Sequence, residues 1–383
     1  GNALSAAWRD EHNAYAFQAG WTRLTDSRIW SLSCVHTTLN CGVAWNTLWL
    51  SSWVALGTTV LGTLLALLAE RTGMKPHGFS QKLLKLLALA PIITPPFVVG
   101  LGLILLFGRA GIVNQLLEWA WAIEPTRWFY GALGIGMAQM FAFTPIAYLM
   151  MRGVLQGISP SLEEASQTLG ASRAQVFWSV TLPLLKPGLV NAFLIGFIES
   201  MADFGNPIVV GGSYSVLSTE IFFAIVGAQF DPGRAASLSW LLTVFAFAVF
   251  ALQHLVMGRQ SFTTVSGKGD AGLSPVLPRG LTRMTRGIAI PWLALTFVIY
   301  VFAFSGGFVK TWGRDYTLTL HHFEMAFGIA KGDLGWVWVG TAWNSLWTTL
   351  ELAAVSAPLT AVLGLLIAWV LARQSFWGKR FFE

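Results

Sequence analysis

Two carboxylates in one apolar stretch are the clearest candidates for chemistry. Glu199 and Asp203 lie within GLVNAFLIGFIESMADFGNPIVVGG, which starts at Gly188 and otherwise has the composition of a membrane-spanning helix. A spacing of four residues places both acids on one helix face. An ionised acid in the membrane interior costs about 2.5–3.5 kcal/mol, so such residues seldom face lipid. We therefore expect both acids to face a central cavity or an internal partner, with the amide of Asn206 close by.

The acid pair is compatible with several functions. Two carboxylates suit a hard cation as cargo, and acids within a membrane span also serve as proton or ion relays. A polar network that only holds neighbouring helices together is the structural alternative. The residues alone leave the transport path and the structural network open, whereas an enzyme active site would need a second catalytic group, and none is evident.

Enzymatic motifs are absent from the sequence. SGKGD, which starts at Ser266, lacks the G-x-x-x-x-G-K-S/T spacing of a phosphate loop, and neither H-E-x-x-H nor a nucleophile triad occurs. The adjacent His321 and His322 favour packing or surface positions over metal ligation. We therefore expect no catalytic residue, no stable metal site and no cofactor bound by this chain.

The composition is typical of a polytopic membrane protein. Of the 383 residues, 55% are hydrophobic and 11% are charged, and the mean hydropathy is +0.61. A soluble domain of this length could not bury so much apolar surface. The net charge of +6 arises from Lys and Arg in short loops between apolar segments, which indicates contact with membrane lipid and not with nucleic acid.

Seven segments are near or above the roughly 20 apolar residues that a membrane-spanning helix needs. They are 46–69, 84–107, 130–151, 189–211, 234–257, 288–304 and 344–371. Pro91, Pro95 and Pro96 should kink the second span, and 112–122 and 216–229 should form short segments at the outer surface. The predicted fold is an all-α transmembrane helical bundle.

A polar island between the third and fourth spans is the second candidate site. We call this segment, residues 159–187, the elbow. Ser161 and Glu164 have the spacing of a capping box, and the preceding Ser159-Pro160 pair is a second start signal, so a helix should begin here and end at Gly170. A second helical run should then stop at Pro183. Lys and Arg cluster in the loops on this side of the bundle, which the positive-inside rule assigns to the cytoplasm.

The elbow resembles the EAA loop of ABC-importer membrane permeases. That loop reads E-A-A, three residues, G, nine residues, I, one residue and L-P, and the elbow matches every spacing, with Ser166 in place of Ala and Val180 in place of Ile. In that family the loop docks into a cleft on a separate ATPase subunit. The resemblance implies that the coupling residues are Glu163, Glu164, Ala165, Ser166, Gly170, Leu182 and Pro183.

The resemblance also implies partners and a location. ATP and Mg²⁺ would bind to the cytoplasmic ATPase subunits, and a periplasmic or extracellular binding protein would deliver the substrate. The chain would be a multi-pass protein of the bacterial inner (plasma) membrane. Without such partners, Glu199 and Asp203 would instead indicate an ATP-independent carrier or channel.

The fourth span and the loops that follow resemble the ferric-iron branch of the fused two-half permeases. The pattern E-x-x-x-D-F-G begins at Glu199, and similar stretches follow at 206–207, 218–220 and 231–236. On this basis ferric iron is the predicted substrate, with Glu199, Asp203 and Asn206 in the substrate path. Related permeases carry phosphonates, polyamines, thiamine or sugars, and the first three are the alternative substrates.

An internal repeat divides the chain. WNTLW at Trp45 returns as WNSLW at Trp343, and LGTLLALLAER from Leu61 returns as LGLLIAWVLAR from Leu363. The predicted domains are an exterior segment 1–44, a first permease half 45–257 with a cytoplasmic coupling loop 152–188, a cytoplasmic linker 258–287, and the start of a second half at 288–383. Because each half lacks elements of the other, we expect the chain to be a fragment of a longer fused permease, with a complete but unequal protein as the alternative.

The two cysteines lie in the exterior N-terminal segment. Cys34 and Cys41 are separated by a short loop, and an exterior position would permit a disulfide. Two unpaired small residues are the alternative, and the spacing does not suit a metal site.

Overall fold

The computed structural model of the chain describes residues 5–8, 15, 17–35, 41–73, 78–228, 230–257, 276–332, 335–375 and 379. The chain divides into two compact units, Gly1–Ala303 and Phe304–Glu383. Among the described residues, seven helices are long and apolar enough to cross a membrane. This confirms the predicted all-α transmembrane bundle.

The helices as far as the sixth span are α1 (Phe17–Leu24), α2 (Ser27–Trp30), α3 (Val43–Arg71), α4 (Phe79–Ile93), α5 (Pro96–Phe107), α6 (Ile112–Trp121), α7 (Ala132–Gly157), α8 (Pro160–Thr168), α9 (Arg173–Val176), α10 (Leu182–Ala202), α11 (Gly205–Val210), α12 (Leu217–Val226), α13 (Pro232–Met257) and α14 (Arg279–Gly306). Short 3₁₀ turns, Ala6–Trp8 and Ser33–Val35, precede α3. The helix α12 lies in one of the two segments that the sequence placed at the outer surface. The helix α6 lies in the other, but it forms the end of the second candidate membrane span, Phe97–Trp121.

Three long helices, α3, α7 and α10, form the centre of the first unit. A Cβ added to Gly62 of α3 would overlap Ala147 of α7, and one added to Gly196 of α10 would overlap Thr58 of α3. Small residues at these positions let the helix backbones approach closely, which increases their van der Waals contact. The core next to the elbow contains the fully buried side chains Leu65, Leu68, Tyr148, Met151, Leu155 and Leu185.

The second predicted span, 84–107, is broken and not only kinked. The helices α4 and α5 are separated at Thr94 and Pro95. Consecutive prolines supply no backbone N–H, so the ladder of helical hydrogen bonds cannot continue through them. The Thr94 hydroxyl lies 2.6 Å from the Tyr300 hydroxyl of α14, so a neighbouring helix supplies a polar partner at the break.

The sixth span extends further toward the elbow than its apolar core, 288–304, indicated. The helix α14 begins at Arg279, within the segment 258–287 that the sequence assigned to a linker. Residues 258–275 of that segment lie outside the described residues. Arginines on the first turns of α14 therefore belong to a helix and not to a loop.

The second unit contains β1 (Val309–Thr311), β2 (Asp315–Leu318), α15 (His321–Phe327), β3 (Ile329–Gly332), β4 (Gly335–Trp338) and α16 (Trp343–Arg373). The strands form two antiparallel hairpins, β1 with β2 and β3 with β4. Strands of three or four residues are too short to show an alternating pattern, so the sequence did not indicate them. In β2, the Thr317 hydroxyl and N–H donate to Asp315 and hold the pKa of that carboxyl below its usual value.

Candidate coupling site and membrane acids

The first helix of the elbow begins at Pro160, directly after Ser159. The predicted capping box of Ser161 and Glu164 is wrong, because the Ser161 hydroxyl lies 2.7 Å from the Ser159 hydroxyl and no side chain caps the helix. A proline at the first helical position has a φ that suits the helix and lacks the N–H that a cap would satisfy. The Ser-Pro pair therefore starts α8 without a side-chain cap.

The turn after α8 depends on Gly170. Its φ of 90° lies in the left-handed region, where a side chain would be strained. The N–H of Gly170 donates to the Gln167 carbonyl at 2.9 Å, and the N–H of Ala171 donates to the Ser166 carbonyl at 3.1 Å, which closes the helix end. Apart from its own chain neighbours, no described residue comes within 4 Å of where a Cβ of Gly170 would stand. The turn is thus open to the approach of another backbone.

The second helical run does not stop at Pro183 as predicted. Residues Phe177–Thr181 form a π-helical turn that leads directly into α10, and the N–H of Leu182 donates to the Phe177 carbonyl. The wider turn makes room for Pro183, whose ring would clash with the carbonyl four residues earlier in a regular helix. Leu182 and Pro183 are half-buried at this junction. The second helical run of the elbow and the fourth span are one helical segment, 173–202.

The elbow exposes a mixed acidic and apolar surface. Glu164 and Ala165 are exposed, and Ser166 is half-buried. Leu169 and Trp178 are 89% and 63% exposed. Large apolar side chains grouped with polar ones on a surface are typical of a protein interaction site. This surface is the part of the elbow that a partner could reach.

Glu163, in contrast, faces the helical bundle. Its Oε2 accepts a hydrogen bond from Nη1 of Arg71 at 2.6 Å, and its Oε1 accepts one from the Thr181 hydroxyl at 2.6 Å. Arg71 is the last residue of α3, and Thr181 closes the π-helical turn. We call these three residues the Glu163 joint. The joint connects the elbow to the first span and to the start of the fourth.

Both charges of the joint lie where helix dipoles favour them. Arg71 stands at the C-terminus of α3 and Glu163 in the first turn of α8. Each side chain is only 2% exposed, and removing one partner of a buried ion pair typically costs about 3–5 kcal/mol. Sequence reasoning did not identify Arg71 as a site residue. The signal that could have found it is the repeat, in which Arg71 matches Arg373.

The joint also contacts the segment that leads into α14. The carbonyl of Arg71 accepts from the Leu277 N–H at 3.0 Å, and the carbonyl of Thr72 accepts from the Arg286 guanidinium at 3.2 Å. A cavity of about 20 Å³, room for one water, lies beside Arg71 and Glu163. The buried Nη2 of Arg71 has no hydrogen-bond partner among the described residues, so a water in this cavity could satisfy it.

A second ion pair lies near the joint but does not include the elbow. Arg152 of α7 and Glu70 of α3 lie 2.7 Å apart, and their side chains are 26% and 20% exposed. Partly solvated pairs of this kind contribute at most about 1 kcal/mol. This pair therefore offers a comparison for the buried pair of the joint.

The two membrane acids lie in different surroundings. The helix α10 ends at Ala202, and Asp203 follows with a ψ of 122°. The Asp203 carboxylate accepts hydrogen bonds from the Gln139 side chain at 3.0 Å, the Asn206 side chain at 2.9 Å, and the backbone N–H groups of Gly205 and Asn206 at 3.0 and 3.3 Å. Asp203 thus has the internal partners that the sequence led us to expect.

Further hydrogen bonds extend this network across four helices. Gln139 of α7 exchanges hydrogen bonds with Ser200 of α10, and the Ser218 hydroxyl of α12 donates to the Asp203 carbonyl at 2.7 Å. Asn206, in α11, is fully buried. We call Asp203, Gln139, Ser200, Asn206 and Ser218 the Asp203 cluster. Its contacts match the structural alternative for this acid.

Glu199 is exposed and stands apart from the cluster. No hydrogen bond or ion pair to its carboxylate occurs among the described residues. Because a charged group on a membrane span seldom faces lipid, an exposed Glu199 is better placed to line a polar path. The structure therefore separates the two acids, and it does not join their carboxylates in one site.

Potential metal ligands are dispersed. Among the described ranges, no group of three or more His, Cys, Asp or Glu side chains is placed to hold a metal ion. The ring Nε2 of His322 lies 3.0 Å from the Val309 carbonyl, so this histidine packs against β1.

Cys34 and Cys41 are joined by a disulfide, with their Cα atoms 4.8 Å apart. The bond closes the loop that leads into α3. It borders a cavity of about 600 Å³ whose walls also include Trp45, Trp49 and Tyr214. Of the two alternatives that the sequence left open for the cysteines, the structure has the bonded one.

The apolar helices and the elbow together define a multi-pass membrane permease of the ABC transporter class. The chain belongs to the family of binding-protein-dependent transport system inner membrane components, whose model matches residues 38–261. In fold it is similar to a bacterial alginate ABC transporter solved with a periplasmic protein bound to an alginate pentasaccharide. That similarity has a TM-score of 0.54 at 18% identity and covers 69% of this chain and 88% of the other.

Two curated relatives are considerably closer in sequence. The ferric transport system permease protein FbpB of Actinobacillus pleuropneumoniae is 42% identical over 338 residues, which are 88% of this chain and 48% of that protein. A relative from Haemophilus influenzae, also named for ferric transport, is 42% identical over 338 residues, or 88% and 52% of the two chains. The chain thus spans about half the length of these relatives.

Proposed function

We propose that this chain is part of the permease of an ATP-driven importer, in which the elbow transmits the closure of a partner ATPase to the membrane helices. The observation that carries the proposal is the elbow itself, where Glu164, Ala165 and Gly170 are open to solvent on a segment anchored in the bundle. A short helix with packed supports on both sides can move as a rigid body when a partner presses on it. ATP and Mg²⁺ bind to the ATPase, and this chain has no catalytic role.

The substrate we propose is ferric iron, delivered to the opposite end of the bundle by a periplasmic or extracellular binding protein. The support is the 42% identity to two proteins named as ferric transport permeases. Carboxylate oxygens are suitable ligands for a hard cation. Glu199, which is exposed on its span, contacts the iron transiently as it passes, while Asp203 and Asn206 fix the shape of the path. Phosphonate, polyamine and thiamine are the alternative loads.

The test measures ATP hydrolysis and uptake in proteoliposomes that contain the full-length permease, its ATPase and its binding protein. Iron-loaded binding protein should stimulate both, and binding protein offered phosphonate, polyamine or thiamine should not. Glu164→Ala and Gly170→Val should reduce the stimulation. If binding protein loaded with one of the other compounds stimulates hydrolysis and uptake instead, that compound is the substrate and iron is not.

An ATP-independent carrier is the second candidate, and the exposed carboxylate of Glu199 is the observation in its favour. Asp203 already accepts four hydrogen bonds, which leaves one acid for an ion relay instead of two. Uptake that needs no ATP and is unaffected by Glu164→Ala would favour the carrier over the importer.

A further inference from the structure

We propose that Glu163 is the residue that transmits elbow movement to the membrane helices, acting through Arg71 and Thr181. This inference rests on the function proposed above. A side chain that is 2% exposed cannot be reached by a partner protein, whereas the next residue, Glu164, is exposed. The two adjacent glutamates therefore have different roles. Glu164 faces the partner, and Glu163 connects the same helix to the bundle.

Both carboxylate oxygens of Glu163 are engaged, each by a different element. Arg71 holds one oxygen to the end of α3, and Thr181 holds the other to the start of the fourth span, both at 2.6 Å. A displacement of α8 must either move both spans or break both hydrogen bonds. Breaking them would leave a buried charge without its partner, a penalty larger than the free energy that links sites in most allosteric proteins. The elbow and the spans therefore move together.

The connection continues from Arg71 to the sixth span. The carbonyl of Arg71 accepts from Leu277, and the adjacent Thr72 carbonyl accepts from Arg286 of α14. A movement of the α3 terminus is thus passed to the start of α14 through the backbone of Leu277 and the side chain of Arg286. Three spans, the first, fourth and sixth, receive the motion of one short helix.

The test uses the full-length permease with its ATPase and binding protein in proteoliposomes and measures the substrate transported per ATP hydrolysed. Glu163→Gln and Arg71→Gln each remove one charge of the joint, and the double variant removes both. Glu70→Gln is the matched control, because it breaks the neighbouring ion pair between α3 and α7 without touching the elbow. Co-purification of the ATPase with each variant shows whether the exposed surface still docks.

Each single variant should lower the transport per ATP by about tenfold, which is within the usual range of coupling between sites. The double variant should lose no more than either single variant, because the two residues act as one connection. The ATPase should co-purify with these variants as with the wild type, which distinguishes lost transmission from lost docking. Glu70→Gln should leave the transport per ATP unchanged.

Failure of the proposed function would appear in the wild type, as uptake without ATP or as hydrolysis that loaded binding protein does not stimulate. The inference on Glu163 is overturned if the wild type couples and the single variants keep its transport per ATP, or if their losses multiply in the double variant. If charge removal prevents assembly, Thr181→Val decides, because it removes one hydrogen bond with little change of shape. If Thr181→Val lowers the substrate transported per ATP by about twofold or more, the proposed transmission is supported, and if that ratio is unchanged, the proposal is contradicted.

Discussion

The elbow and the membrane bundle each place one hydrogen-bonded acid beside one exposed acid. In the elbow, Glu163 faces the bundle and Glu164 faces solvent; at the end of α10, Asp203 lies in a hydrogen-bonded cluster and Glu199 is exposed. In both regions the exposed acid is available to something outside the bundle. The difference between the regions lies in what holds the inward acid.

Glu163 is held by a charge from a distant part of the chain. Arg71 lies 92 positions earlier, and the pair is buried. The donors to Asp203 are all neutral, and two of them are the backbone N–H groups of Gly205 and Asn206, two and three residues further along the chain. Three of the four hydrogen bonds to Asp203 come from the turn that follows it and fix the shape of the helix end, and Gln139 of α7 adds one neutral contact. The buried charge pair, in contrast, joins separate elements by a charged contact. We infer that the first acid transmits movement and the second maintains geometry.

The largest expected effect is on the buried pair. Glu163→Gln leaves the Arg71 charge uncompensated and should lower the free energy of unfolding by about 3–5 kcal/mol. The thermal midpoint of the purified full-length permease in detergent measures this. Glu70→Gln, in the partly exposed pair, should cost at most about 1 kcal/mol. Equal losses in the two variants would mean that burial does not distinguish the joint from its neighbour.

A smaller loss is expected in the Asp203 cluster. Asp203→Asn keeps one acceptor oxygen but replaces the other with an NH₂ group. That NH₂ group then faces the N–H donors whose hydrogen bonds the second oxygen accepts in the wild type. The expected cost is about 1–3 kcal/mol, the usual penalty when a buried donor loses its acceptor. The same thermal measurement applies, with Glu199→Gln as the control that alters an exposed acid. A loss as large as that of Glu163→Gln would contradict the distinction drawn between charged and neutral partners.

The sequence indicated the class of the fold because its signals were long and local. Each span is a run of apolar residues, and the repeat marked Trp45 and Trp343 as equivalent starts of spans. In both places the indole N–H donates to a backbone carbonyl that precedes the span, that of Trp30 at 3.2 Å and that of Gly328 at 3.3 Å. The segments that precede the two tryptophans differ, because the first contains a disulfide and the second contains the β3–β4 hairpin. The repeat contains no information on how each loop is closed.

The site was predicted less completely because its decisive contacts are long-range. A motif identified Glu163 together with its exposed neighbours, yet no pattern indicates that it faces inward or that Arg71 is its partner. The stop predicted at Pro183 was wrong for a similar reason: a π-helical turn accommodates the proline, and single-sequence rules assume regular helices. The acids of the fourth span were found by their rarity in apolar sequence, but their separate surroundings required the structure.

A third prediction concerns the edge of the Asp203 cluster. Ser218→Ala removes the donor to the Asp203 carbonyl while leaving the carboxylate and its four donors in place. One neutral hydrogen bond is worth about 0.5–1.5 kcal/mol, so the loss should be smaller than that of Asp203→Asn. The thermal midpoint again provides the measurement. A loss exceeding that of Asp203→Asn would show that the connection to α12, and not the carboxylate, holds the helix end.

The smallest effects on stability are expected at the two exposed acids. Glu164→Gln and Glu199→Gln remove charges that have no described partner, so each should change the free energy of unfolding by at most about 0.5 kcal/mol. Their effects on transport should nevertheless differ in kind. Glu164→Gln should weaken the response to the ATPase for every substrate, because it alters the docking surface. Glu199→Gln should leave the ATPase docked and alter uptake in a way that depends on the cation offered, because it alters the path. Identical transport profiles for the two variants would mean that exposure alone, and not location on the elbow or the span, determines what these acids do.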